Sequence, residues 1–546
     1  MKKALVLILA LAMVLSCAAC GGSKTEPAKT EPAKTETAPA AAPAAEPAAE
    51  PAAEPAAEAP KQDTLIVALE GEGNDFDPQN SGTKITSSGV IGAIYEGLVR
   101  CDSEGVPQPC LAESFEWVND GKAIRFKLRE GVTFSNGEPF TADDVVFSYV
   151  ERFPTSSNGK SEGTFDFANM EIVNDYEIIV PLKKDASDAL NTLTNMRYGI
   201  MNREAVEALG DQAGRQPVGT GAYTLEEIVA GDRTVLKANP NYWGPAPYFK
   251  EVVFRVIAEN SQAQIELENG TIDAAVFSVG NNDVLRVANG EIEGLECLKI
   301  FNGVNCLRLN FKKEFANNKL IRQAISYALD RESIAKADSN NLNTPAYHGN
   351  LPGYAGYVAE FDTNHPYPYD PDKAIELLKE AGVYENLTLE CYTDVSAAAK
   401  TDAELVKNML AKVGITMNIH SLEAGTVVPI VIGGEEDDCF IGFNISDWTG
   451  SILQRQRYCC DPHYSPDFEH HGESPAYDGV YAIFAEAEKT LDRDEAIKLI
   501  EEAARLEQEE ALNIPMTYTN NFINAKKGLH VVWQYGDVNL AEWRFE

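Results

Sequence analysis

Two segments of the chain cluster residues whose types could do chemistry, and the first contains cysteine and histidine. Residues 458–473, "YCCDPHYSPDFEHHGE", hold Cys459, Cys460, His463, His470 and His471. Thiolate and imidazole are zinc ligands, but adjacent cysteines seldom both reach one tetrahedral ion, and this spacing matches no standard zinc pattern. We therefore predict no metal site here, and expect a loop that supplies a disulfide partner for Cys439.

The second segment has two cysteines at C-x-x-C spacing, Cys17 and Cys20, near the amino terminus. A basic start and an apolar run over residues 4–15 precede them, which is typical of a signal peptide and too short to span a bilayer. A redox pair would lie near a βαβ pattern and a zinc site would need a second ligand pair nearby, and neither is present. The segment resembles a bacterial lipoprotein signal with Cys20 as the lipidated residue, although leucine is usual where this chain has Cys17.

These features predict a signal peptide over residues 1–19 and a lipid anchor on Cys20, with Cys17 as the alternative acceptor. Two acyl chains are enough for stable anchoring. We expect the protein on the cell membrane, facing the extracellular side or the periplasm. Residues 21–62 contain no hydrophobic side chain larger than alanine and repeat proline, alanine and glutamate. Because regularly spaced prolines interrupt a helix, this stretch should be a semi-rigid linker between anchor and body.

Charge and motif content exclude several functions for the body. The net charge of −38 repels nucleic acid and anionic lipid, so we expect no nucleic-acid partner. The chain contains no G-x-S-x-G, H-E-x-x-H, Walker A or G-x-G-x-x-G motif, and its seven histidines form no Ser/His/Asp arrangement that can be located. We predict that the protein is not an enzyme and that it needs no cofactor.

The elements that must position any site follow from hydrophobic periodicity. A hairpin is predicted around Asn119-Asp120-Gly121, a βαβ unit over 250–277, and a second α/β unit over 370–422. Residues 317–334 have helical spacing throughout. Two separated α/β units with a hairpin-rich insertion suggest two lobes that close on a ligand.

Cysteine spacing within the body allows local disulfides in an exported chain. Cys101 and Cys110 flank a turn-rich loop, and Cys297 and Cys306 flank an apparent strand-turn-strand around Asn302-Gly303. Either pair could close, and the pairing among Cys391 and the later cysteines stays open.

Five long segments resemble, in the same order, the extracellular solute-binding proteins of ABC transporters, in the family 5 group of oligopeptide- and dipeptide-binding proteins. The segments are "PQPCLAESFEWVNDGKAIRFKLREGVTFSNGEPFTADDVVFSYVER", "PVGTGAYTLEEIVAGDRTVLKANPNYWG", "VVFRVIAENSQAQIELENGTIDAAVF", "NNKLIRQAISYALDRESI" and "YDPDKAIELLKEAG". The resemblance implies an α/β, two-lobed fold of the type II periplasmic-binding-protein kind, with an extra β-rich subdomain and a hinge. It implies the following division: signal peptide 1–19; lipidated terminus and linker 20–62; lobe I from 63–95, 207–306 and 513–546; inserted β-rich subdomain 96–206; lobe II 307–512.

The resemblance also implies where a ligand binds. In peptide-binding members an acid followed by an aromatic residue lies at the end of a strand, and the acid pairs with the peptide α-amino group. In "GFNISDWTG" those positions are Asp447 and Trp448, next to Ser446 and Asn444. Peptide binders often have tryptophan where this chain has Asn444, which bears on the ligand class more than on the fold.

The expected function is capture of short peptides and delivery to ABC permease subunits by a monomeric, lipid-anchored binding protein. The alternatives are another solute, such as an oligosaccharide, a nickel complex or haem, and a surface receptor that works without a transporter.

Overall fold

The computed structural model describes the following residues: 62–73, 75–80, 85–102, 105–156, 159, 163–339, 342–352, 356–433, 436–442, 445–446, 475–534 and 537–546. The signal peptide, Cys17, Cys20, the linker and the segment 458–473 lie outside them. Among the described residues, no helix combines the length and hydrophobicity that crossing a bilayer requires.

The strands, in chain order, share no single length and run from two to fifteen residues. They are β1 Thr64–Leu69, β2 Val99–Cys101, β3 Pro107–Pro109, β4 Ala112–Val118, β5 Ala123–Leu128, β6 Glu171–Asn174, β7 Glu177–Pro181, β8 Tyr223–Val229, β9 Arg233–Ala238, β10 Glu251–Val256, β11 Ala274–Val276, β12 Leu295–Leu309, β13 Thr344–Pro345, β14 Leu387–Asp394, β15 Ile415–Leu422, β16 Cys439–Ile441, β17 Ile445–Ser446, β18 Ile514–Lys526, β19 Leu529–His530, β20 Trp533–Gln534, β21 Asp537–Val538 and β22 Arg544–Phe545.

The α-helices within the described residues alternate with the strands of both halves of the chain. They are α1 Ile85–Ile94, α2 Ala142–Val146, α3 Ala189–Leu193, α4 Arg203–Leu209, α5 Asn260–Glu268, α6 Asn281–Ala288, α7 Lys319–Ala328, α8 Arg331–Ser339, α9 Pro371–Glu380, α10 Ala397–Lys412, α11 Ala424–Gly433, α12 Pro475–Ala487 and α13 Arg493–Glu509.

One large mixed sheet connects the two halves of the body. Its strands follow the order β15-β14-β16-β12-β18-β11-β1-β10-β9-β8, with β13 on β18 and β17 on β12 off this path. The predicted βαβ unit is confirmed: β10 and β11 both pair parallel with β1, and α5 connects them. The second predicted unit is confirmed too, since β14 and β15 pair parallel through α10. The mixed α/β class therefore agrees with the sequence prediction.

The predicted hairpin belongs to a separate antiparallel sheet of order β4-β5-β7-β6. Asn119 and Asp120 both have φ of 55° and Gly121 has φ of 81°. Asparagine, aspartate and glycine tolerate this left-handed backbone best, which is why this tripeptide forms the turn.

Three large hydrophobic cores divide the described residues. One core lies between β1, β10 and the C-terminal strands and includes Trp543. A second is formed by residues 98–200 around the four-stranded sheet. The third packs α7, α9, α10, α12 and α13 against β12, β14 and β15. The exact domain boundaries given by the resemblance stay a prediction.

Two sequence predictions are wrong in detail. Residues 295–309 form one continuous strand, β12, rather than a strand-turn-strand, because the Asn302-Gly303 step is a bulge opposite β18. Residues 317–334 form two helices, since α7 ends before Leu329, whose backbone is extended, and α8 begins at Arg331.

The six cysteines in the described part of the body are free thiols, so neither local disulfide is present. Cys297 and Cys306 lie on the same strand, which keeps their side chains apart. Cys439 is fully buried and lies in register with Cys391 on the neighbouring parallel strand β14. Its contact is therefore with Cys391, while Cys459 and Cys460 lie outside the described residues.

Candidate ligand-binding site at the crossing ribbon

Two long strands, β12 and β18, form an antiparallel pair that we call the crossing ribbon. The pairing runs from Leu295 opposite Lys526 to Leu307 opposite Ile514. At one end β18 pairs with β11, and at the other β12 pairs with β16. The ribbon is thus shared by the two halves of the large sheet, and any movement between the halves must bend it.

The ribbon has two irregular positions where bending is easiest. Its register shifts between Phe301 and Gly303, and again between Asn305 and Cys306. A bulge leaves one residue unpaired and increases the local twist and bend of a strand pair. Both shifts lie in the middle of the ribbon, which makes this region the natural hinge.

The strand that carries the predicted ligand residues joins the ribbon at this hinge. β17 pairs antiparallel with β12, with Ser446 opposite Gly303 and Ile445 opposite Val304. The backbone of Ser446 therefore lies beside the first register shift. Asn444, Asp447 and Trp448 lie outside the described residues, as does Cys20, so their roles stay predictions.

Aromatic side chains support the ribbon beneath the hinge. Phe301 and Tyr518 meet edge to face with ring centroids 6.0 Å apart, and His348 lies against Tyr357 at 4.5 Å. The Tyr518 hydroxyl donates to the His348 carbonyl at 3.3 Å. Burial raises the pKa of Tyr518 well above its usual range, so the hydroxyl stays a neutral donor.

Buried charge near the hinge is already bound to protein groups. Arg331 is almost fully buried, and its guanidinium donates to Pro515 O at 2.8 Å, Ser326 Oγ at 3.0 Å and Tyr367 O at 3.2 Å. Burial lowers the pKa of Arg331 to about 10. Because three bonds fix this cation to the chain, Arg331 holds β18 in place and is not positioned to bind a ligand anion.

A buried carboxylate also comes from the lobe side of the ribbon. Asp402 on α10 is fully buried and accepts a hydrogen bond from the Asn305 side chain, at the second register shift. This bond ties the hinge strand to the helix packed against it. A polar pair at this position fixes where the ribbon bends.

Sequence reasoning missed a second cluster, centred on Glu96, which we call the Glu96 joint. The Glu96 carboxylate accepts from Trp243 Nε1 at 2.7 Å, from Thr220 Oγ1 at 2.8 Å and from the Tyr242 hydroxyl at 3.2 Å. The Arg129 guanidinium lies 4.5 Å from the Trp243 ring centroid. Burial raises the pKa of Glu96, and the three donors oppose that effect.

The Glu96 joint lies where two cores meet. Trp243 packs against the core of residues 98–200, whereas Tyr242 packs against the core of β1 and β10. The joint borders a cavity of about 140 Å³. With its donors supplied by the chain, Glu96 is a structural carboxylate that joins the β-rich part to the rest of the body. No local pattern could reveal it, because Trp243 lies 147 positions after Glu96.

Comparison with known proteins identifies the family. The model of the bacterial extracellular solute-binding proteins, family 5 (middle), matches residues 106–456, well over half of the chain. The protein belongs to this family. It is a family 5 solute-binding protein of the kind that serves ABC importers, and its family and two-lobed fold are those of substrate-binding proteins, which are not enzymes.

Individual relatives cover nearly all of the body. The glutathione-binding protein GsiB of Escherichia coli K12 is 26% identical over 488 residues, which is 87% of this chain and 93% of that protein. HbpA2 from Haemophilus parasuis superimposes with a TM-score of 0.79 at 20% identity, covering 88% of this chain and 100% of its own. DppA from Helicobacter pylori, solved with the peptide STSA, gives a TM-score of 0.66 at 22% identity and covers 88% and 98%. The two structures are similar in fold, and the solute of this family 5 protein is a separate question.

Proposed function

We propose that this protein captures short peptides between its lobes and delivers them to the permease of an ABC importer, while lipid on Cys20 and the linker hold it at the membrane. The observation that supports the site is the pairing of β17 with β12, because the chain leaves Ser446 beside the hinge and continues directly into Asp447. A ligand bound there would touch the element that must bend for the lobes to close.

The proposed chemistry is recognition of the peptide amino terminus. Asp447 would pair with the α-ammonium group, since charge-assisted hydrogen bonds are shorter and stronger than neutral ones. Trp448 would offer a flat surface that accepts different side chains. The glutathione- and peptide-binding relatives support the ligand class, and the small Ser446 leaves room next to the acid.

The proposal is tested with a thermal-shift screen on the purified protein. The ligands are glutathione, a set of di- to pentapeptides, and the same peptides with an acetylated amino terminus. A ligand at about 100 times its Kd stabilises a protein by roughly 2.7 kcal/mol, which gives a clear rise in melting temperature. Free peptides should raise the melting temperature and acetylated ones should not.

The alternatives have different results in the same screen. Stabilisation by an oligosaccharide, a nickel complex or haem, with no response to any peptide, would replace the peptide by that solute. Equal shifts from free and acetylated peptides would keep the peptide class and remove the amino-terminal role of Asp447. Peptide binding without any interaction with permease subunits would favour a receptor that works without a transporter.

A further inference from the structure

The β-rich part of the chain touches the lobe built around α12 and α13 at a place away from the crossing ribbon. Ser187 lies in the segment leading into α3, whose neighbours Ala186 and Ala189 belong to the core of residues 98–200. It meets the end of α12, whose Phe484 and Ala487 belong to the lobe core. Two parts with separate cores are therefore in direct contact here.

The contact is made by two hydrogen bonds that cap a helix. The Ser187 Oγ donates to the Ala487 carbonyl at 2.7 Å, and the Ser187 backbone N–H donates to the Glu488 carbonyl at 2.9 Å. The last carbonyls of a helix have no partner within the helix and need one elsewhere. In this chain the partner comes from a different part of the body, so the cap exists only while the two parts are together.

A second contact lies beside the cap. A Cβ atom built on Gly121, in the turn of the β4–β5 hairpin, would lie 3.1 Å from Leu491 Cδ1, so the hairpin tip rests almost against this leucine. Leu491 is 40% exposed and follows α12 directly. Between the two contacts runs a groove of about 190 Å³ whose lining includes Trp117, Leu190 and Ile497. The groove is incompletely packed, which fits a surface that separates and rejoins.

We infer that Ser187 is a closing residue: by capping α12 from across the seam, it stabilises the closed arrangement of the lobes and raises solute affinity without touching the solute. When only one arrangement holds the solute, the apparent affinity scales with the population of that arrangement. The inference rests on the proposed function for its solute measurement alone, because closure can be measured without any solute.

Thr490 offers a matched control at the same helix end. Its Oγ1 donates to the Glu486 carbonyl at 2.8 Å, within its own lobe. Thr490→Ala therefore removes a hydroxyl–carbonyl bond of the same kind without changing the seam. Leu491→Asp is a second test variant, since it places a charge against the hairpin tip at an exposed position and should not disturb folding.

The experiment is single-molecule FRET on the full protein, with dyes attached through click-reactive residues at the exposed positions Glu138 and Glu502. Loss of one hydrogen bond should lower the closed-to-open ratio of ligand-free Ser187→Ala about two- to tenfold. Leu491→Asp should lower it at least as much, and Thr490→Ala should match the wild type. Dissociation of glutathione or a tripeptide should be faster in Ser187→Ala by a similar factor.

The inference is overturned if Ser187→Ala and Leu491→Asp leave the ligand-free FRET distribution unchanged, or if Thr490→Ala shifts it equally. If no peptide binds at all, the proposed function fails, and the ligand-free comparison still decides the role of Ser187.

Discussion

The Glu96 joint gives a prediction that can be worked out from distances. Trp243→Phe keeps an aromatic ring but removes the indole N–H that donates to Glu96 at 2.7 Å. A hydrogen bond to a charged group contributes about 1.5–3 kcal/mol. The stacked Arg129, 4.5 Å from the ring centroid, adds about 0.5–1 kcal/mol that phenylalanine keeps in part. Trp243→Phe should therefore lower the free energy of unfolding by about 2–3 kcal/mol.

The interaction itself is isolated by a double-mutant cycle with Glu96→Gln, measured by urea unfolding followed by circular dichroism. Burial raises the pKa of Glu96, so the cycle is run at pH 8, where the carboxylate is charged. The expected coupling between Trp243 and Glu96 is at least about 1 kcal/mol. A coupling below about 0.5 kcal/mol would mean that Trp243 acts through packing alone and that the Glu96 joint is not held by its hydrogen bonds.

Three further predictions follow from buried or reactive groups. Burial raises the pKa of Asp437 to about 6, above the ordinary value near 4, so its contribution to stability should fall as the pH rises from about 4 to 6; Asp437→Asn should remove this dependence, and an unchanged pH profile would contradict it. The buried thiols of Cys391 and Cys439 should resist iodoacetamide in the native state and react after denaturation, as measured by peptide mapping; native-state labelling, or an intact disulfide between them, would show that the pair is not two inert thiols. Metabolic labelling with a palmitate analogue should be lost in Cys20→Ser and kept in Cys17→Ser, whereas the reverse pattern would move the anchor to Cys17.

Local sequence signals predicted the elements that are stabilised locally. The Asn119-Asp120-Gly121 turn forms because these residues accept positive φ. The helix at 371–380 begins where expected, since Asp370 accepts from the Lys373 N–H and Pro371 fits the first turn. Such features depend on a few neighbouring residues, and the sequence displays them directly.

Features set by distant pairing were missed for a physical reason. Asn302-Gly303 has the composition of a turn, yet thirteen residues of β18 pair along this strand and keep it extended through a bulge. The cost of an imperfect local fit is outweighed by the ladder of hydrogen bonds to a segment more than 200 positions later. The Glu96 joint and the Ser187 cap are of the same kind, since each joins segments that are far apart in the chain.

The family and its division into lobes were accessible from long ordered segments, and the family is confirmed. The ligand residues could be predicted only through the resemblance, because an acid followed by an aromatic is common in any chain. The position of β17 on the hinge supports that assignment and leaves it to experiment.

The most direct test of the central claim is isothermal titration of one tripeptide, free and N-acetylated, into the wild type and Asp447→Asn. The account predicts that the wild type binds the free peptide and that either acetylation or Asp447→Asn weakens binding by roughly 30-fold, about 2 kcal/mol. Both changes together should weaken it little further, because they remove the same ion pair. Equal affinity of all four combinations, or fully additive losses, would contradict the claim that Asp447 recognises the peptide amino terminus.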